Sequence, residues 1–230
     1  MSDFFSNSLF PLALTLLGYR LGLFCQRKLR SPLCNPILIA VFFVLGALAL
    51  TGLDVGSYQA GNSRIAWLLT PATIALAVPM YEQLQVLKKD LRAMFAGITA
   101  GTLASLLFIV LFSLLAGFER TLTVSLLPKS VTTAIGAPLS ELSGGTAALA
   151  TAAIICTGIL ANVLSPWLFR LFRLENPIAR GVALGTAGHV IGTSKANEIS
   201  PLVGAVSSLS LVTAGLLTAA IFPLAVKFIA

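Results

Sequence analysis

Apolar runs of roughly 18 or more residues recur along the whole chain, each closed by a short polar or basic break. At 1.5 Å rise per residue such a run covers about 30 Å of hydrocarbon, so the spacing predicts a polytopic helical membrane protein. The charge content agrees, since only 10% of the 230 residues are charged and 57% are apolar, where a soluble domain carries about 25% charged residues. The runs leave no stretch for a separate soluble domain, and residues 1–230 are expected to form a single transmembrane domain. The fold class is all-α.

The net charge of +7 does not point to nucleic acid, because the basic residues cluster in short loops between apolar runs, where orientation signals belong. A first span is expected from about Leu9 to Phe24, with Arg20 snorkelling near its end. "MSDFFSNSLF" lacks a basic n-region and a small-residue cleavage site, so this run is expected to be retained. Arg27, Lys28 and Arg30 then mark the cytoplasmic side, and a second span from about Pro36 to Leu53 leads to the balanced outer loop "DVGSYQAGNSR". In the third run, "IAWLLTPATIALAVPMYEQ", Pro71 and Pro79 each remove an amide donor and predict a broken helix. Lys88, Lys89 and Arg92 return the chain to the cytoplasm, and a long span from about Ala93 to Phe118 leads outward to "GFER".

The next clear span, from Gly145 or Thr146 to about Phe169, ends at Arg170, Arg173 and Arg180, again cytoplasmic. Parity then requires Glu119 to Gly144 to leave and return on one face, as a re-entrant or hairpin element. A second irregular element, "GVALGTAGHVIGTSKANEISP", is too rich in glycine for an ordinary lipid-facing helix, and a last span runs from about Leu202 to Phe228. The expected architecture is about six full spans plus two broken or re-entrant elements. Inverted halves of the kind in which interrupted helices meet near the midplane are a further expectation.

Irregular backbone at membrane depth survives only where it is buried in protein or lines a wet cavity, so two such elements imply an internal site. Around them gather Lys129, Ser130, Thr132, Thr133, Thr186, His189, Thr193 and Lys195, the last read with Glu198 as an i, i+3 helix ion pair, with Gly185, Gly188 and Gly192 as points of close backbone approach. Pro71, Pro79, Pro128 and Pro138 are the expected helix breaks, freeing amides that favour an anion. Lys129 either anchors a small carboxylate in the cavity or snorkels to the outer interface beside Pro128. His189, the one histidine of the chain, either titrates and couples transport to protons or packs between helices against a backbone carbonyl. One histidine and three scattered cysteines make no metal-ligand set, and no cofactor is implied. Adjacent Lys129 and Ser130 do not face each other on a helix, so a hydrolytic dyad is not expected and the chain is not read as an enzyme.

Taken in order, "LLTPATIALAVPMYEQ", "LPKSVTT", Gly144–Gly145, "LGTAGHVIGTSKA" and "SSLSLVTAGLLTA" resemble the LrgB/CidB family of bacterial inner-membrane proteins over essentially the entire chain. The resemblance implies a multi-pass protein of the bacterial inner membrane. It implies two alternative functions: a transporter for small monocarboxylates such as glycolate, glycerate, lactate or pyruvate, or a holin/antiholin-like protein that modulates murein hydrolase export and lysis. It further implies a smaller LrgA/CidA-type membrane partner, which the related plastidal glycolate/glycerate translocator carries fused, and a homodimer is the default oligomer. The chain departs from the family pattern at Ala134–Ile135–Gly136 and at Gly188 and Val190 flanking the histidine, while Lys129, Thr132, Thr133, His189, Gly192 and Thr193 match it.

Overall fold

The computed structural model describes residues 9–29, 35–75 and 77–229, and every regular element among them is a helix. They pack as two compact units, Met1–Ala75 and Leu76–Ala230. Arg30 and Cys34 lie outside the described residues.

In the first unit, α1 (Leu9–Leu29) packs on α2 (Pro36–Thr51) and on α3 (Val55–Gly61). α2 starts where it does because the Asn35 side chain accepts from the amides of Ile37 at 2.8 Å and Leu38 at 3.2 Å, with Pro36 filling a position that needs no donor. It stops at Gly52, which takes the left-handed conformation. Thr15 joins α1 to α3 through a 2.7 Å bond with the Tyr58 hydroxyl and a 3.1 Å bond to Asn62 Oδ1. α1 runs on past Phe24 to Leu29, which leaves Arg20 in its second half as an exposed residue.

The third apolar run is broken as its prolines require. It forms α4 (Ser63–Trp67), α5 (Leu69–Ala75) and α6 (Ala77–Glu82). Pro71 and Pro79 each stand third in their helix, where an absent amide costs nothing. Neither can donate to the carbonyl four residues back, and those carbonyls belong to Trp67 and Ala75, the last residues of the preceding helices.

The second unit is built on α7 (Leu84–Ala116), whose 33 residues reach roughly 50 Å. It is followed by α8 (Arg120–Leu126), α9 (Thr133–Leu142), α10 (Ala147–Leu171), α11 (Pro177–Ile199) and α12 (Pro201–Lys227). By length and composition α1, α7, α10 and α12 can each cross a membrane, whereas α2, at 16 residues, falls short of the usual span. The core runs between α7, α11 and α12, where Met94, Ile98, Leu184, Val203, Val206 and Phe222 are almost fully buried.

α8 and α9 are 7 and 10 residues long, about 10 and 15 Å, so neither can cross hydrocarbon alone. They contact each other and α10, forming the two arms of a hairpin. The start of α10 is fastened to the tip end of α8, where the Thr146 amide donates to Ser125 Oγ at 2.8 Å, and the Gly145 amide closes the end of α9 on the Ser140 carbonyl at 2.9 Å. Gly145 has to be glycine there, because an added Cβ would run into the hydroxyls of both Ser140 and Ser125.

Candidate functional site

The hairpin tip is unwound because Pro128 cannot donate to the Val124 carbonyl, and α8 ends two residues earlier. Residues 127–132 then run through tight turns, with Lys129 N bonding to the Leu126 carbonyl at 3.1 Å and Val131 N to that of Pro128 at 3.1 Å. Thr132 stands at the N-cap of α9, and Thr133 opens the helix as an exposed residue. Pro138 lies inside α9, which continues past it at the cost of one hydrogen bond to Ala134. Of the two interruptions expected in this segment, the one at Pro128 forms the hairpin tip and the one at Pro138 does not occur.

The second interruption is in α11, at His189, whose φ of 42° and ψ of −134° are not helical. A non-glycine residue held there stores on the order of 1–3 kcal/mol, so the surroundings must fix it. They do so through the ring. His189 is buried, and its Nε2–H donates to the Ile154 carbonyl of α10 at 2.9 Å. Gly158, one turn on, leaves room for the imidazole, since a Cβ there would lie 2.6 Å from His189 Cε1. Thr193 Oγ1 shares a bond with Ser207 Oγ at 2.8 Å and donates to the His189 carbonyl at 2.9 Å, so its hydroxyl is fully engaged. Gly185 faces the Ser207 carbonyl and Ser210 of α12, and Gly192 faces the Leu184 carbonyl. These glycines serve close packing of α11.

Where the hairpin tip meets α7, α11 and α12 a small cavity remains. It is lined by Thr102, Ser105 and Leu106 from α7, Leu127, Ser130 and Val131 from the tip, Thr186 from α11, and Ala214 and Thr218 from α12. Its volume of about 10 Å³, traced by the centre of a water-sized sphere, leaves room for no more than a single water. Five of the nine lining residues carry hydroxyls. Ser105 and Ser130 bond to each other at 2.9 Å and so fasten the hairpin tip to α7. Thr102 and Thr186 are 4% and 7% exposed, and their hydroxyls have no partner. A helical threonine can satisfy itself on the carbonyl one turn back, as Thr193 does. These two do not, and each bears the 1–3 kcal/mol cost of an unpaired buried hydroxyl.

The cavity sits at mid-depth. Thr102 is ten residues, about 15 Å, from Arg92, and Ser105 is twelve residues, about 18 Å, from Gly117 where α7 ends. Ala214 is likewise thirteen residues from either end of α12.

Of the residues expected from sequence to form the site, Ser130 and Thr186 line this cavity. Lys129 is half-buried on the unwound tip beside Ser130 but is not part of the lining, and among the described residues no carboxylate pairs with it. Thr132 and Thr133 also lie outside the lining, as do Gly185, Gly188, His189, Gly192 and Thr193. Lys195 and Glu198 form a 2.7 Å ion pair at the exposed end of α11. Thr102 and Ser105 lie outside the motifs, and Thr218 lies within "SSLSLVTAGLLTA" but was not singled out. For Thr102 the signal is periodic: Met94, Ile98, Thr102, Leu106, Ile109 and Ser113 form the buried stripe of α7.

The family model for the LrgB-like family matches residues 15–228, and the chain belongs to that family. No solved structure matches the chain.

Proposed function

We propose that this LrgB-like membrane protein carries a small monocarboxylate, such as glycolate, glycerate, lactate or pyruvate, through the hydroxyl-lined cavity. The supporting observation is that Thr102 and Thr186, whose buried hydroxyls have no partner, both line one small space between α7, α11, α12 and the interrupted hairpin tip. Hydroxyls left unpaired in a folded protein await a polar occupant, and a carboxylate accepts hydrogen bonds from several at once. Room for one water corresponds to an occluded state, from which a carboxylate of a few heavy atoms is admitted when the hairpin tip draws back from α7. Lys129, on that tip, supplies the cation, worth about 4 kcal/mol to an anion at 4 Å in an effective dielectric near 20. His189 is the candidate proton-linked group.

Six crossings, movement of one inverted half against the other, and a bacterial inner-membrane setting belong to this proposal. So do a homodimer and a smaller LrgA/CidA-type partner; no chemical transformation is assigned to the chain. A second reading, a holin-like assembly that controls murein hydrolase export, draws on the broad apolar faces. One is a groove of about 490 Å³ in the first unit, lined by Leu16, Ile37, Val41, Leu45 and Leu48 among others.

Uptake of labelled glycolate, lactate and pyruvate into proteoliposomes, with and without the small partner, separates the two. Saturable uptake that is lost in a folded Lys129→Ala variant supports the carrier. Unselective leakage of unrelated solutes of similar size supports the holin-like assembly.

A further inference from the structure

A second pair of cavities lies at the other end of α7 from its basic turn. An apolar groove of about 570 Å³ runs between the C-terminal halves of α7 and α12, walled by Leu103, Leu107, Leu114, Ile221, Leu224 and Phe228. It continues into a smaller recess of about 220 Å³ with polar residues in its wall, Val110 and Leu114 being common to both. The recess is formed where α7 ends at left-handed Gly117 and α8 begins, and Arg120 and Ser113 stand in its wall. Arg120 has no ion-pair partner among the described residues. The Ser113 hydroxyl is buried, at 4% exposure, and has no hydrogen-bond partner either. Glu119 precedes Arg120 in the chain but does not line the recess.

A long apolar trough that ends, at the close of a membrane helix, in an unpaired guanidinium and an unpaired hydroxyl has the outline of a phospholipid. We infer that this is a site for a glycerophospholipid with an anionic headgroup, one acyl chain lying along the groove and the phosphate held by Arg120 and Ser113. A guanidinium matches phosphate geometry with paired N–H donors, and the Ser113 hydroxyl supplies a third. No acidic side chain lines the recess to hold the amine or choline of a zwitterionic headgroup, which is why the net anionic class is favoured. The leaflet is the one opposite Lys88, Lys89 and Arg92.

The test places the intact protein in bilayer discs of equal phosphatidylglycerol and phosphatidylcholine, extracts it gently, and measures retained lipid by native mass spectrometry. About tenfold enrichment of phosphatidylglycerol is expected, the ratio that about 1.4 kcal/mol produces, with one molecule held per chain. Arg120→Gln, at an exposed position that folding does not depend on, brings the ratio close to one, while Arg120→Lys keeps part of it. Arg170→Gln, a control at the opposite end of the protein, leaves it unchanged. Leu107→Trp, which fills the groove, removes the bound lipid while helicity is preserved. Millimolar glycerol phosphate fails to displace the lipid. Equal retention of the two lipids, enrichment that survives Arg120→Gln, or displacement by soluble glycerol phosphate overturns the assignment, the last by showing a plain anion site.

Discussion

Replacing Thr102 and Thr186 together by valine separates what their hydroxyls do for folding from what they do for transport. Valine keeps the branched shape and volume and exchanges only O–H for CH₃, so the packing of α7 against α11 is retained. Both hydroxyls are buried and unpartnered. Removing an unpaired buried hydroxyl relieves roughly 1–3 kcal/mol of desolvation cost, offset in part if a single water bridges the pair. The double variant is therefore expected to unfold at the same or a higher temperature, with a gain of between zero and about 6 kcal/mol. Uptake should move the other way. Each hydrogen bond to a carboxylate contributes about 1.5–3 kcal/mol, so losing two weakens substrate binding on the order of a hundredfold or more. The assay pairs thermal unfolding in micelles with concentration-dependent uptake in proteoliposomes. Unchanged uptake in a variant that is equally or more stable would refute the role given to the cavity. A clear loss of stability would show that the hydroxyls are already satisfied in the resting protein.

Gly158→Ala places a methyl group 2.6 Å from His189 Cε1 and 2.8 Å from Nε2, so overpacking should cost about 1–3 kcal/mol, read as a lower unfolding temperature. Ser125→Ala strands the Thr146 amide at the start of α10 and is expected to destabilise by about 1–3 kcal/mol, with faster hydrogen exchange at Thr146. His189→Gln can still donate to the Ile154 carbonyl while losing the titratable ring. It should fold normally and flatten the pH dependence of uptake, and an unaltered pH profile removes histidine from the coupling role.

The interruptions were legible in the sequence because proline acts through local covalent geometry. Pro71, Pro79 and Pro128 each deprive a carbonyl four residues back of its donor, and helices end at Trp67, Ala75 and Leu126. Pro138 shows the limit of that rule, since α9 absorbs the lost bond and continues. The cavity was only partly legible. Ser130 and Thr186 belong to motifs that stand out against their apolar surroundings, whereas Thr102 and Ser105, and Thr218 within the apolar motif of α12, acquire meaning only when three helices meet. The glycines around His189 were expected as points of close backbone approach at the site. Their neighbours show the packing part: the Ser207 carbonyl beside Gly185 and the Leu184 carbonyl beside Gly192 leave no space for a side chain. The position of Lys129 beside the cavity, and not in its lining, depends on the path of the turn from Leu127 to Thr132, which no pattern of residue types encodes.

The most direct measurement is chemical protection at the cavity. With Cys25, Cys34 and Cys156 replaced by serine and Thr186→Cys introduced, the rate at which a small thiol reagent labels position 186 is followed as glycolate, lactate or pyruvate is added. Saturable slowing, half-complete at the concentration that half-saturates uptake, is the expected result. Labelling that no carboxylate alters, in a protein that still takes the carboxylate up, would place the path elsewhere.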